Sequence, residues 1–341
     1  MKTRCWLILL LAMILIAPVI HSAGSAPLKL VQTFKLPADV KGHFDHVTVD
    51  VKGHRLFATP EDYKAVIVLD NETGKIVHTI RGIERPHAVL YREDLNRIYV
   101  TDGGAGDVKI YNAKTYQLVK SVKLLPDADS IGYDPASGYL YVDNGGGDAG
   151  QTYSMFSVID TTKGAKAADL KIDGDTLEAM ALETSSPRIY VNNRAKNEVA
   201  VVDRQARSLI ESWPVTMGKF NVAMALDEAN HRLFVACRSG HIVVFDTQTG
   251  KELQALPITK GVDDLAYDSA SKRIYAACDG AVDVYEQSDP DHYKSLGKVE
   301  TGPAAKTARL VPELNRYFVA APEHGSTPAE ILVFEVLGLR P

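Results

Sequence analysis

Arg97-Ile-Tyr-Val-Thr-Asp-Gly-Gly-Ala-Gly-Asp-Val-Lys-Ile-Tyr-Asn-Ala-Lys-Thr115 is the stretch whose reading decides the fold. It opens on a short β-branched and aromatic segment, breaks at glycines, and resumes the strand pattern at Val108 to Tyr111. The opening segment recurs as Arg55-Leu-Phe-Ala-Thr, Tyr139-Leu-Tyr-Val-Asp, Arg188-Ile-Tyr-Val-Asn, Arg232-Leu-Phe-Val-Ala, Arg273-Ile-Tyr-Ala-Ala and Arg316-Tyr-Phe-Val-Ala. Successive intervals between these seven anchors are 42, 42, 49, 44, 41 and 43 residues. A repeat of about 40 to 45 residues built of short strands is the period of a propeller blade. The expected fold is therefore all-β: a seven-bladed β-propeller of four-stranded antiparallel blades.

The remaining strands fall around each anchor. An alternating segment precedes every copy, from Val47 to Asp50 in the first to Ala308 to Val311 in the last, and turn sets such as Asp134-Pro-Ala-Ser-Gly138 join the two as a hairpin. A third strand follows each anchor, and Asp70, Asn112, Asp160, Asp203, Asp246 and Glu286 come after six of these, placed to bond nearby backbone N–H groups and close the next hairpin. The outermost strand is represented by Ile76 to Ile80 and Leu118 to Val122. The seventh unit reaches a third strand at Ile331 to Phe334 and has no fourth, while Lys29 to Leu36 belongs to no complete unit. Pairing the N-terminal strand onto the last blade closes the ring and removes an open sheet edge. The 49-residue interval is filled by Gly145-Gly-Gly-Asp-Ala-Gly-Gln-Thr152, read as a flexible loop, with Asp143, Asn144 and Asp148 as a weaker calcium set.

The stretch from Arg97 to Thr115 resembles the YVTN repeat of bacterial and archaeal secreted β-propellers. The resemblance covers essentially all of the chain after the N-terminal segment, although most copies depart from the four letters that name the repeat. It implies a seven-bladed propeller exported to the periplasm or the cell surface. The motif is structural and carries no shared catalytic residues, so no reaction follows from it.

Lys2 and Arg4, then an apolar run from Cys5 to Ile20 broken only by Pro18, then Ser22 to Ala26 of small residues, have the three-part layout of a secretory signal peptide. The run is shorter than the roughly 20 apolar residues a spanning helix needs. Residues 1–25 are assigned as the signal, cleaved after Ser25, and residues 26–341 as the propeller, with no membrane span once the signal is removed. Removing Lys2 and Arg4 leaves 36 basic residues against the 43 acidic ones of the whole chain. A mildly acidic chain without a basic stripe argues against nucleic acid as a partner.

In a propeller the entry of the first strand and the exit of the second meet at one face and form the central mouth. Entry residues include His43, Asp45, His46, Glu84, Arg85, His87, Asp129, Glu178, Asn221 and Asp264; Asn193 and Arg238 lie at exits. These twelve are the candidate ligand-binding residues. With Asp127, Lys219, Asp263 and Lys306 added, the entry loops carry seven acidic and three basic groups, so the funnel favours a cationic or small polar ligand, or another exported protein. His46 and His87 are read as occupying the same slot of the first two blades, with His43 one loop turn upstream. Together with Asp45, Glu84 or Asp129 they form a candidate site for zinc or another divalent ion, though no cofactor is required by the pattern. A bound metal with an open position would activate water or polarise a carbonyl, making a lactonase-like hydrolase or a lyase the alternative to a binding or scaffolding role.

Other chemical readings fail on detail. Asp70-Asn-Glu-Thr-Gly-Lys75 and Asp246-Thr-Gln-Thr-Gly-Lys251 are similar to the blade motif of quinone-dependent dehydrogenases, but His78 and Gln254 stand where that motif has its docking tryptophan. No glycine-rich phosphate loop lies between a strand and a helix, and no serine or cysteine nucleophile sits in a recognisable elbow. Cys237 and Cys278 take the same slot in adjacent blades. Facing sheets lie about 10 Å apart, too far for a disulfide, so both are expected as free buried thiols.

Overall fold

The computed structural model describes residues 26–338, and the expected signal peptide falls outside them. Seven four-stranded sheets form the ring. Blade 1 comprises Phe44–Asp50, Arg55–Pro60, Val66–Asp70 and Ile76–Ile80. Blade 2 comprises Pro86–Arg92, Arg97–Asp102, Asp107–Asn112 and Leu118–Lys123, and blades 3 to 6 repeat the order. The innermost strand of each blade packs against that of the next, and Phe44–Asp50 of blade 1 packs against Thr307–Val311 of blade 7, so the circle is complete. Among the described residues no helix is long and apolar enough to cross a membrane.

Closure occurs as the orphan strand requires. Leu28–Lys35 pairs antiparallel with Glu330–Val336 and supplies the fourth strand of blade 7. Phe34, 3% exposed, joins Phe318 and Ile331 of blade 7 and Leu56 and Ile67 of blade 1 in one apolar wall. Six further clusters fill the remaining spaces between blades. Each wall takes the aromatic ring at the third anchor position, from Phe57 and Tyr99 to Tyr275 and Phe318, all fully buried. The arginine that opens most anchors also locks blades together: Arg55 donates to the Ala113 carbonyl of blade 2 at 2.6 Å, and Arg188 to the Thr247 carbonyl of blade 5 at 2.8 Å.

The outer hairpins explain the repeated acidic residue. Asp70 Oδ1 accepts from the N–H groups of Glu72 and Thr73, and Asn112, Asp160, Asp203 and Asp246 do the same two and three residues on. Glu286 departs from the expectation: strand Gly280–Asp289 runs past it, and Asp289 caps the turn instead, accepting from the Asp291 N–H. The same turns dock the blades. Gly74 and Gly250 have φ of +70° and +68°, and a Cβ on either would lie 2.2 Å from the Phe34 ring or 2.4 Å from the Trp213 indole nitrogen. An aromatic from the outer strand of the preceding blade thus covers each glycine turn. Trp213 of blade 4 covers the blade 5 turn, while Gln254 on the outer strand of blade 5 donates to the Asp291 carbonyl of blade 6 at 2.7 Å.

Cys237 and Cys278 are buried and unbridged. Burial pushes the Cys237 thiol up to about 12.

Candidate functional site

The position ten residues before each anchor defines the mouth. In chain order it is Asp45, His87, Asp129, Glu178, Val222, Asp263 and Lys306, and all seven line one cavity of about 410 Å³ at the end of the central channel. His87 therefore shares its slot with Asp45 and Asp129, and not with His46, which lies one residue further along. The reason is a β-bulge. Asp45 and His46 together oppose Thr59, as His87 and Ala88 oppose Thr101 and Glu178 and Ala179 oppose Asn192. The Thr59 hydroxyl stitches the first bulge, accepting from the His46 N–H at 2.8 Å and donating to its carbonyl; Thr101 does the same for Ala88.

The bulge brings Asp45, His46, His87 and Asp129 together. His87 Nδ1 is hydrogen-bonded to Asp45 Oδ2 and lies 3.6 Å from Asp129 Oδ1. His46 Nε2 faces Asp45 Oδ1 at 3.5 Å, and its Nδ1 faces Asp264 Oδ1 of blade 6 at 3.6 Å, so this imidazole lies across the channel. Asp264 is anchored in turn, accepting the Ala308 N–H at 2.7 Å. Gly103 leaves room for the His87 ring, since a Cβ there would lie 2.5 Å from Nε2. Behind Asp129, Asp143 is 2% exposed, and its backbone carbonyl accepts the Asp129 N–H.

These groups share charge strongly. Burial disfavours a charged His87, but the carboxylates of Asp129 and Asp45 outweigh it and push the imidazole up to about 10. Burial also opposes ionisation of Asp45, yet His46 and His87 prevail and hold its carboxyl well below the usual range. Asp129 is displaced the other way, first by burial and then by Asp45, and Asp143 rises through burial and its neighbours Asp129 and Glu178.

The far side of the mouth is basic but paired. Glu178 meets Arg194 at 2.8 Å, Asp263 meets Arg238, and Lys306 reaches Asp263 at 3.0 Å. Arg85 bridges Asp127 at 2.8 Å and Asp148 at 2.6 Å. Counted over the lining, eight carboxyl groups face four arginine and lysine side chains and the two imidazoles His46 and His87, both raised by neighbouring carboxylates, so the acidic excess is smaller than the sequence count implied.

Of the twelve candidate residues, His43, Asp45, His46, Arg85, His87, Asp129, Glu178 and Arg238 line the cavity. Asp264 touches it through His46. Glu84 is exposed off the cavity, with its N–H given to Asp102. Asn193 and Asn221 are fully buried locks: Asn193 donates to the Asp173 carbonyl and to Glu198, and Asn221 to Asn192 and the Glu198 carbonyl. The 145–152 segment is an ordered turn, with Gly147 N–H bonded to the Asp175 carbonyl, and it delivers Asp148 to Arg85. Asn144 spends its amide on Val142, Met155 and Ser157, so the Asp143, Asn144 and Asp148 calcium set does not converge. Asp263 and Lys306 belong to the site through the ten-residue offset, which the sequence carries; Asp148 and Asp175 come from irregular segments with no periodic signal.

No protein-family model matches the chain. Over 115 residues it is 35% identical to the protein designated uncharacterized protein YncE of Salmonella typhi, a segment that makes up 33% of this chain and 32% of that one. Its counterpart in Salmonella typhimurium strain LT2 is 34% identical over 115 residues, with the same shares of the two chains. The chain is homologous to YncE-type proteins over that segment, which spans about a third of the length of these relatives. Among solved structures, a chain of a mitotic checkpoint complex superposes with a TM-score of 0.73 at 13% identity, covering 99% of this chain and 100% of that one. At that identity the likeness shows the fold alone.

Proposed function

We propose that the protein is an exported propeller acting as a binding or scaffolding protein, with the central mouth as the site for a small polar or cationic ligand or for another exported protein. One observation carries this reading: a position repeated seven times turns a polar side chain into one cavity at six blades, four of them carboxylates, and around it Asp129 Oδ1, Asp143 Oδ1 and His87 Nε2 are buried without a hydrogen-bond partner. Buried polar atoms are nearly always paired, so an unpaired cluster at a cavity floor fits a ligand or ordered water. Export rests on the charged and apolar N-terminal segment and on the likeness to the YVTN repeat.

A second reading, a metal-dependent hydrolase or lyase in the same mouth, is favoured by the convergence of Asp45, His46 and Asp129. The test uses protein recovered from the exported fraction with its N-terminus at Ala26. Wild type and a His46→Ala, His87→Ala double variant are screened by thermal shift against divalent ions, lactones, polyamines and single-stranded DNA. A stabilising cation or polyamine that loses its effect on the variant is the expected result, and turnover of a lactone moves weight to the enzyme. A hit equally strong on both proteins places the site elsewhere, and a DNA hit that weakens steeply with salt contradicts the charge argument.

A further inference from the structure

We propose that the mouth holds one first-row divalent transition-metal ion, with Zn²⁺ as the type ion, ligated by Asp45, His46 and Asp129. The proposal rests on the mouth being the binding site and names what binds there. One donor atom from each of the three residues lies within 4.8 Å of the others. His46 Nε2 and Asp45 Oδ1 are 3.5 Å apart, close to the roughly 3.4 Å between two ligands that each bind a tetrahedral zinc at about 2.0 to 2.2 Å.

The outer contacts match what a metal-bound imidazole needs. A ligating histidine gives its second ring nitrogen to a carboxylate, which fixes tautomer and ring orientation. Asp264 faces His46 Nδ1 at 3.6 Å and is held in place by the Ala308 N–H, which leaves Nε2 for the ion. Asp45 is oriented the same way, with Oδ2 on His87 and Oδ1 turned to the centre. His87 is thereby a positioning residue: its Nδ1 is taken by Asp45, and its Nε2 abuts Gly103.

Beside that geometry, Asp129 Oδ1 is buried and has no hydrogen-bond partner, and neither does Oδ1 of Asp143, a residue 98% buried whose backbone carbonyl accepts the Asp129 N–H. An unpartnered buried carboxylate oxygen is costly, and a cation held by Asp45, His46 and Asp129 removes that cost at Asp129. One imidazole with two carboxylates suits zinc or manganese, whereas calcium takes six to eight oxygens. Three protein ligands leave a coordination position open toward the cavity, where water or a ligand donor completes the shell.

The exported chain, stripped with EDTA and dialysed, is titrated with Zn²⁺ by calorimetry in a non-coordinating buffer. The expected result is one ion per chain, with affinity at least tenfold weaker in His46→Gln and in Asp129→Asn. Asp264→Asn keeps an acceptor for the Ala308 N–H but loses the charge facing the imidazole. It is expected to weaken Zn²⁺ about 10- to 100-fold while the metal-free protein melts as wild type does. Glu228→Gln, at a clamp between blades 4 and 5 outside the cavity lining, is expected to bind as wild type. Absence of a stoichiometric site, or wild-type affinity in both His46→Gln and Asp129→Asn, overturns the proposal. If Zn²⁺ fails to bind while a mouth ligand from the thermal-shift screen still binds in EDTA, the metal site falls and the mouth reading stands; loss of both removes the mouth as well.

Discussion

The walls between the blades solve one packing problem seven times, while the mouth slot holds a carboxylate at four blades and histidine, valine and lysine at the other three. Each wall takes an aromatic ring from the third anchor position and apolar residues from two neighbouring sheets. The slot ten residues before each anchor instead reads aspartate, histidine, aspartate, glutamate, valine, aspartate and lysine. Every blade must pack against a neighbour of the same shape, so the wall residues are held to one solution. Nothing in the packing fixes the slot, because the bulge turns it into the channel. Chemistry can vary there at little cost to the ring, and there the symmetry is broken.

That contrast orders the expected effects of change. Deleting residues 28–35 removes an outer strand together with Phe34 and exposes the edge of Glu330–Val336. Truncating one buried phenylalanine costs about 3 to 5 kcal/mol, and a typical domain is stable by only about 5 to 15 kcal/mol. The deletion is expected to abolish cooperative melting and to elute as aggregate. A monomer with an unchanged melting temperature would show that the ring does not depend on its closing strand.

A much smaller effect is expected from a polar clamp outside both regions. Glu228 of blade 5 accepts from the Thr184 N–H at 2.9 Å and from the Ser185 N–H at 2.7 Å in blade 4. Burial works against its charge, but the Ser185 and Thr184 bonds outweigh it and bring the carboxyl down to about 2, from 4.5. A carboxyl lowered on folding adds stability that is present above its unfolded value and lost as pH falls through the folded one. Glu228→Gln should therefore melt below wild type at pH 7, with the gap closing between about pH 4.5 and 2. Solvent screening at this exposed clamp keeps the difference below about 1 kcal/mol. A gap that stays constant down to pH 2 in paired melting curves would remove the carboxylate from the clamp.

The same contrast explains what the sequence made legible. Blade count, anchor strands, closure by the N-terminal strand and the Asp70-type turn caps could all be read, because alternation and turn chemistry are local and each is repeated. The mouth as a face was also legible, but its register was not. A bulge points two consecutive residues into the channel, so Asp45 and His46 cannot be ranked by alternation, and matching His46 to His87 by residue type misses the true slot by one. Asn193 and Asn221 stood out as polar residues near the mouth, yet their amides are consumed in joining strands and blades. Asp148 was read only as part of a calcium set, and its place in the mouth was out of reach because it arrives on an insertion whose path depends on a contact with Asp175 that no local pattern records.

The central claim is that function lies in the mouth, at Asp45, His46 and Asp129. Its most direct test is anomalous diffraction at the zinc edge from crystals of the chain grown with equimolar Zn²⁺. The account predicts a single strong peak bounded by His46 Nε2 and by carboxylate oxygens of Asp45 and Asp129, with Asp264 hydrogen-bonded to His46 Nδ1. A map with no peak in the mouth, or with the ion bound at surface histidines such as His54 or His292, would contradict it.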